Sequence, residues 1–315
     1  MFNFSIYSIV KILLVFIVFM ATLYIAPYYT GADQIYYTKA YEGLYGLDIK
    51  EGYIFYGRTL SSLEFMHFIS SWAFSNLQVD KFYFVSLINS IFAYVLISLL
   101  QKWRVSIFII SMIILTNFYI IMLYFAAERL KFALLFLFLS LFYINKKRFL
   151  FGFLSIVSHV QLIIIYGAIV FNYFLDGFIK FLNTMKFSKS LLILMILIII
   201  PIFIMGEQIE NKFSRYSNVN GFQELLKTFI FFLMAVWYSK NKRQTLYIFI
   251  PIFISVYLVG GERINMMSYF IFMYYALQVN KGLNIGVITT GLYFFFQSVI
   301  FIDNIFTYGN GFYRL

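Results

Sequence analysis

Two steps of the same kind stand far apart in the chain, Glu128-Arg129 and Glu262-Arg263, each opening an apolar run. An arginine presents a planar five-donor fork suited to a phosphate or diphosphate, so the two steps are candidates to converge on one anionic group. Each is equally a good helix start, with the glutamate at the positive end of the helix dipole and the arginine reaching to water. Asp33, in Gly31-Ala32-Asp33-Gln34-Ile35-Tyr36-Tyr37, is a candidate general base toward a hydroxyl nucleophile. It is also placed to cap a helix or close an Asx-turn. His159 sits in an apolar setting, Ser155 to Gln161, where a histidine is either hydrogen-bonded structure or part of a site. Arg215 and Tyr216, in the polar loop 207–221, are weaker candidates of the binding kind.

The elements that must hold these residues are membrane helices. Of the 315 residues, 63% are hydrophobic and 12% charged, far from the balance of a soluble domain. Apolar stretches recur at the length needed to cross about 30 Å of hydrocarbon. Period-2 alternation is missing from runs such as 191–200 (LLILMILIII), so a β-barrel is not expected. The first span is Ile6 to Pro27. A polar stretch, residues 28–81, then forms one long loop, in which Leu60, Leu63, Phe68 and Trp72 predict an amphipathic interfacial helix over 57–74. Later spans are expected at 82–100, 105–125, 129–144, 190–206, 223–239, 245–259, 264–279 and 283–302.

The segment 149–176 crosses once or, turning at Ser158-His159, twice. Two crossings place seven downstream cations on the cytoplasmic side in tight clusters (Lys180, Lys186, Lys189, Lys240, Lys242, Arg243, Lys281). One crossing places there only five dispersed ones, so the positive-inside rule favours the hairpin. The expected fold is an all-α polytopic membrane protein of about eleven passes, or ten with a single crossing, forming one integral membrane domain over 1–315 with the long loop outside. The net charge of +11 is then a topology signal and not a nucleic-acid footprint. The absence of cysteine excludes disulfides and thiolate chemistry, and two histidines leave little room for zinc. No phosphate-cradling loop, Rossmann fingerprint, HExxH or Gly-x-Ser-x-Gly is present, and neither a metal nor another cofactor is expected.

The order of features resembles the EpsG-type branch of the Wzy-like polysaccharide polymerases and, more distantly, the GT-C glycosyltransferases. The pieces that carry it are Gly31-x-Asp33-xxx-Tyr37 after the first span, Glu51-Gly52-Tyr53 leading into the amphipathic helix, and Arg129-xx-Phe132-Ala133 opening a span that ends in Lys146-Lys147-Arg148. The apolar run bearing His159 and the late Glu262-Arg263 step complete it. The chain departs from the family at Gly52 and Val160, where proline is common. The resemblance implies an O-antigen, capsule or exopolysaccharide polymerase in the bacterial inner membrane, moving an undecaprenyl-diphosphate-linked glycan onto a second lipid-linked unit. Asp33 would serve as base, with Glu51 the second choice. Arg129 and Arg263 would hold the diphosphate, and His159 would assist. A chain-length regulator and a flippase of the same pathway are implied partners. Rival expectations are a transporter of the same lipid-linked sugars, which should show repeats or broken helices, and a membrane O-acyltransferase using His67 or His159.

Overall fold

The computed structural model describes residues 6–61, 64–159, 161–185 and 221–313, and every regular element among them is helical. They divide into two compact units, Met1–Val160 with Lys281–Leu315, and Gln161–Asn280. The first unit contains α1 (Ile6–Ile25), α2 (Asp33–Gly43), α3 (Ile49–Leu60), α4 (Phe65–Asn76), α5 (Lys81–Lys102), α6 (Ile107–Thr116), α7 (Phe118–Phe125), α8 (Glu128–Phe142), α9 (Lys147–Ser158) and, at the far end of the chain, α14 (Ile285–Tyr308). The second contains α10 (Leu162–Thr184), α11 (Gly221–Tyr238), α12 (Lys242–Val259) and α13 (Glu262–Ala276).

Side-chain caps explain many of the boundaries. Asp48 accepts from the Lys50 and Glu51 amides, each at 2.8 Å, to start α3, and Asp80 accepts from the Phe82 amide at 2.8 Å to start α5. Asn117 separates α6 from α7. Its backbone is extended and its side chain takes the amides of Tyr119 and Ile120, so the two short helices meet at a bend of 47°.

Among the described residues four helices, with adjoining 3₁₀ turns, are long and apolar enough to cross a membrane: Ile6–Tyr28, Lys81–Lys102, Leu162–Thr184 and Asn280–Tyr308. The bent pair α6–α7 makes a fifth if counted as one. Eleven passes are therefore not what the described residues contain. The spans expected at 129–144 and 264–279 are 15-residue helices, and α9 has 12 residues. At 1.5 Å per residue these reach only about 18–22 Å. Hydropathy registers apolar runs but not the breaks within them. The span expected at 190–206 lies outside the described residues. A break does fall at Ser158-His159, and α10 beyond it runs on to Thr184.

The long loop is also different from its expected form. In place of one interfacial helix over 57–74, that stretch holds the end of α3 and most of α4, and the loop as a whole contains three helices, α2 to α4. Ser61 ends α3 in the left-handed conformation, and Glu64, in extended backbone, starts α4. The apolar face packs inward: Ala40, Leu44, Tyr56 and Phe68 form a buried cluster, and the Trp72 indole donates to the Leu47 carbonyl at 2.9 Å. The segment before α2 is pinned to the end of α14. The amides of Thr30 and Gly31 both donate to the Gly309 carbonyl, at 3.1 and 2.7 Å, and Gly309 takes the positive φ (65°) that closes α14.

In the second unit Ala168, Ile252, Val256 and Ile264 form the apolar cluster. Thr228 donates to the Asn265 side chain at 2.6 Å, both residues being buried.

Candidate functional site

The buried charge of the first unit gathers where α2, α3, α4 and α5 meet the start of α8. On α2, Gln34, Tyr37 and Tyr41 lie three and four residues apart and share the buried face. On α8, Glu128 and Lys131 are one turn apart and 3% and 1% exposed. Charges so deeply enclosed persist only when paired and hydrogen-bonded, and three connected sets of partners provide this.

The first set surrounds Glu128. One carboxylate oxygen accepts from the Gln34 amide at 2.8 Å, with the Lys81 ammonium 3.9 Å away; the other faces the His67 Nε2 at 3.5 Å. Gln34 also donates to the Phe125 carbonyl at 2.6 Å, an end group of α7, and accepts from Lys81 at 2.8 Å. Lys81 donates again to Thr38 at 2.8 Å. Tyr56 lies 2.9 Å from the His67 Nδ1. An ionised carboxylate can only accept, so a neutral His67 directs an Nε2 proton at Glu128 and takes the Tyr56 hydroxyl proton at Nδ1. Burial pushes the His67 imidazole below its ordinary range, against the pull of Glu128. A cavity of about 10 Å³, room for one water, abuts Gln34, Lys81 and Glu128.

Arg129 organises the second set. Its Nη1 donates to Glu64 at 2.9 Å and its Nε to the Tyr37 hydroxyl at 3.1 Å, with the guanidinium carbon 5.7 Å from the Tyr37 ring centre. The other Glu64 oxygen lies 3.5 Å from the His159 Nε2. Here the side chains are not sealed: Arg129 is 17% exposed and Glu64 13%. Burial pushes the Tyr37 hydroxyl up to about 12, Arg129 opposing and the Glu128 and Asp33 charges reinforcing.

The third set hydrogen-bonds Lys131 through uncharged groups. Its ammonium donates to the Asn89 side chain, and Asn89 in turn donates to Thr22 at 3.1 Å and to the Tyr124 carbonyl at 3.0 Å. The carbonyls at the end of α7 thus face cationic and amide groups, the partners that a helix C-terminus favours.

Of the residues singled out from sequence, Arg129, Glu128, Tyr37 and His159 are brought together. Asp33 is the first residue of α2 and exposed, one turn before Tyr37. It does not act as the cap; that position is Ala32, held at φ 51° and ψ −136°, a sparsely populated conformation next to the carboxylate. Glu51 is exposed in the first turn of α3, behind the Asp48 cap, away from the buried sets. Glu262 and Arg263 start α13 in the second unit, where Arg263 is exposed. Arg215 and Tyr216 lie outside the described residues. Among the described residues no three His, Asp or Glu side chains gather as a metal-ligand set.

The residues that sequence reading missed are Glu64, Lys81, Gln34 and Lys131, and it singled out His67 only for the O-acyltransferase alternative. The i, i+3 spacing of Glu128 and Lys131 was the available signal. Glu64 gave none, because its position depends on the break after α3.

The described residues are all-helical in their regular structure, with four or five helices of membrane-crossing length and a buried ionic network at one end of the first unit. No family model, characterised protein or solved structure matches the chain.

Proposed function

We propose that the chain is a polysaccharide polymerase of the Wzy-like, GT-C-related kind, acting on undecaprenyl-diphosphate-linked glycan at the outer face of a bacterial inner membrane. The observation that carries this reading is the half-open Arg129. Tyr37 and Glu64 fix its plane from two sides and leave its other Nη free for an incoming anion. Asp33 stands exposed one helical turn from Tyr37, on the same stretch of α2.

In the proposed step a sugar hydroxyl attacks the anomeric carbon of the donor glycan. The bond from that carbon to the diphosphate oxygen breaks, and the proton passes to the Asp33 carboxylate. Arg129 stabilises the departing diphosphate charge, while His159, on the far oxygen of Glu64, holds that carboxylate in line. Glu51, exposed in the first turn of α3 with its amide on the Asp48 cap, remains the second choice for that carboxylate.

The test is the glycan banding of cells lacking the chain, complemented with wild type, Asp33→Asn or Arg129→Gln at matched membrane levels. Loss of the ladder to a single repeat unit in the deletion, restored by wild type and by neither variant, is the expected result. A full ladder with both variants overturns the site.

A second reading, transport of the same lipid-linked sugars, is favoured by one observation. The helix pair α6–α7 is broken at Asn117, and its end carbonyl at Tyr124 is held by Asn89 beside the buried Lys131. A deletion that abolishes even the single repeat unit on the outer face supports transport over polymerisation.

A further inference from the structure

At the opposite end of α1, α5 and α8 from the ionic network lies a cleft of about 750 Å³. Its size falls in the range of small-molecule sites. Lys11 of α1 and Lys102 at the end of α5 line it, together with Ser98, Gln101 and Asn145, and no carboxylate does. Aromatic rings hold the cations in place. The Lys11 ammonium stands 4.2 Å from the Tyr94 ring centre, Lys102 5.3 Å from that of Phe142, and Lys147, outside the lining itself, 5.5 Å from that of the lining residue Tyr143. Lys11 also reaches the Ser98 hydroxyl at 3.5 Å, and Lys102 donates to the Phe142 carbonyl at the end of α8. Each ammonium has three donors, so both keep capacity for a further acceptor.

We propose that this cleft binds an anionic phospholipid, the lysines taking the headgroup phosphate and Val95, Leu139 and Ile144 lying along its acyl chains. Three features select that occupant. The positive lining without a carboxylate selects an anion. The apolar wall beside it selects a ligand with a hydrocarbon part. The position, at one end of two helices of membrane-crossing length, is the depth of lipid headgroups, on the side to which Lys102, Arg104 and the Lys146 to Arg148 cluster assign the cytoplasm. This inference does not depend on the transferase reading.

The full chain, purified and stripped of lipid, is to be incubated with phosphatidylcholine vesicles with and without phosphatidylglycerol, and the lipid that it retains counted by native mass spectrometry. Inorganic phosphate alone forms a separate arm. Preferential retention of phosphatidylglycerol is expected, with about fivefold weaker retention in Lys11→Gln and in Lys147→Gln, the scale of one basic residue at an anionic surface. Lys240→Gln, an exposed lysine of the second unit, should retain it as wild type does. Using two single variants, and leaving Lys102 in its contact with α8, keeps the test independent of the folding of any one of them. Equal retention of both lipids overturns the proposal, as does equal loss in Lys240→Gln. Displacement of phosphatidylglycerol by inorganic phosphate at similar concentration also overturns it, since the ligand is then a free anion.

Discussion

Glu128 and Arg129 are neighbours in sequence and both reach a histidine through a carboxylate, yet the two arrangements differ in one physical respect. His67 and Glu128 are sealed, 4% and 5% exposed at their side chains, and every strong partner is another part of the protein. His159 and Glu64 make the same 3.5 Å approach, but Glu64 and Arg129 retain 13% and 17% exposure. The sealed set is closed off from solvent, the His67 Nε2 approaching Glu128 at 3.5 Å without a hydrogen bond of its own, and its charges face only other parts of the protein. The half-open set keeps guanidinium donors at an edge that solvent and a ligand reach. The proposed function accordingly places its chemistry at Arg129 and its neighbours and leaves Glu128 an architectural part.

That division predicts opposite outcomes for the two neighbours. Glu128→Gln should have the largest effect on stability. It keeps an amide near Gln34 but leaves the Lys81 and Lys131 charges buried without their counter-ion, a loss on the order of 3–5 kcal/mol. The chain should fail to accumulate in membranes or should melt far below wild type. Wild-type accumulation and melting would dissolve the distinction. Arg129→Gln should cost less, about 1.5–3 kcal/mol for the charged hydrogen bond to Glu64, while abolishing the glycan ladder. Arg129→Lys should not restore it, because a point charge cannot reach Tyr37 and Glu64 in one plane. If Arg129→Lys makes a full ladder at wild-type level, the planar fork is not what the site uses.

How much of this was legible beforehand follows from what each residue depends on. Glu128, Arg129 and His159 are prominent in the sequence because an ionisable group beside a long apolar run is costly and needs a reason, and Tyr37 stands out through the Gly31-x-Asp33-xxx-Tyr37 pattern. The helix break at Ser158-His159 was legible for the same cause. Glu64 was not. On a single helix over 57–74 it belongs to the polar side; only the left-handed turn at Ser61 redirects the chain so that Glu64 begins α4 and meets Arg129. The number of crossings was misjudged because apolar composition is common to crossing helices and to short helices packed inside the unit. Phe132, Ala133, Leu134 and Leu135 of α8 are buried against protein. Asp33 was legible as a carboxylate at the surface, but the strain at Ala32 that precedes it has no sequence signature.

The sealed set also makes a pH prediction. Burial keeps the His67 imidazole neutral in the folded chain below 6.5, its ordinary value, whereas the unfolded chain takes up a proton there. With more protons bound in the unfolded state, stability falls as pH drops below about 6.5, by at most about 1.4 kcal/mol per pH unit from this group. His67→Phe preserves a ring against Tyr37 and Phe132 and should flatten the dependence between neutrality and pH 5. Thermal midpoints across that interval, wild type beside variant, provide the measurement; parallel curves would mean that His67 takes up its proton over the same pH range in the folded and the unfolded chain.

The smallest change in stability should come from Asp33→Asn, and it tests the comparison most sharply. Asp33 is exposed, starts α2 and makes no side-chain cap, so the loss is confined to a favourable charge in the first turn of a helix, a few tenths of a kcal/mol. The melting of the variant should be indistinguishable from wild type. If Asp33 is the base beside the Arg129 edge, the glycan ladder should nevertheless collapse to the single repeat unit, separating chemistry from folding within one substitution. If the ladder survives with the melting unchanged, the carboxylate is only a helix start. The base must then be sought in the half-open set itself, where Glu64, on His159, is the next group to replace.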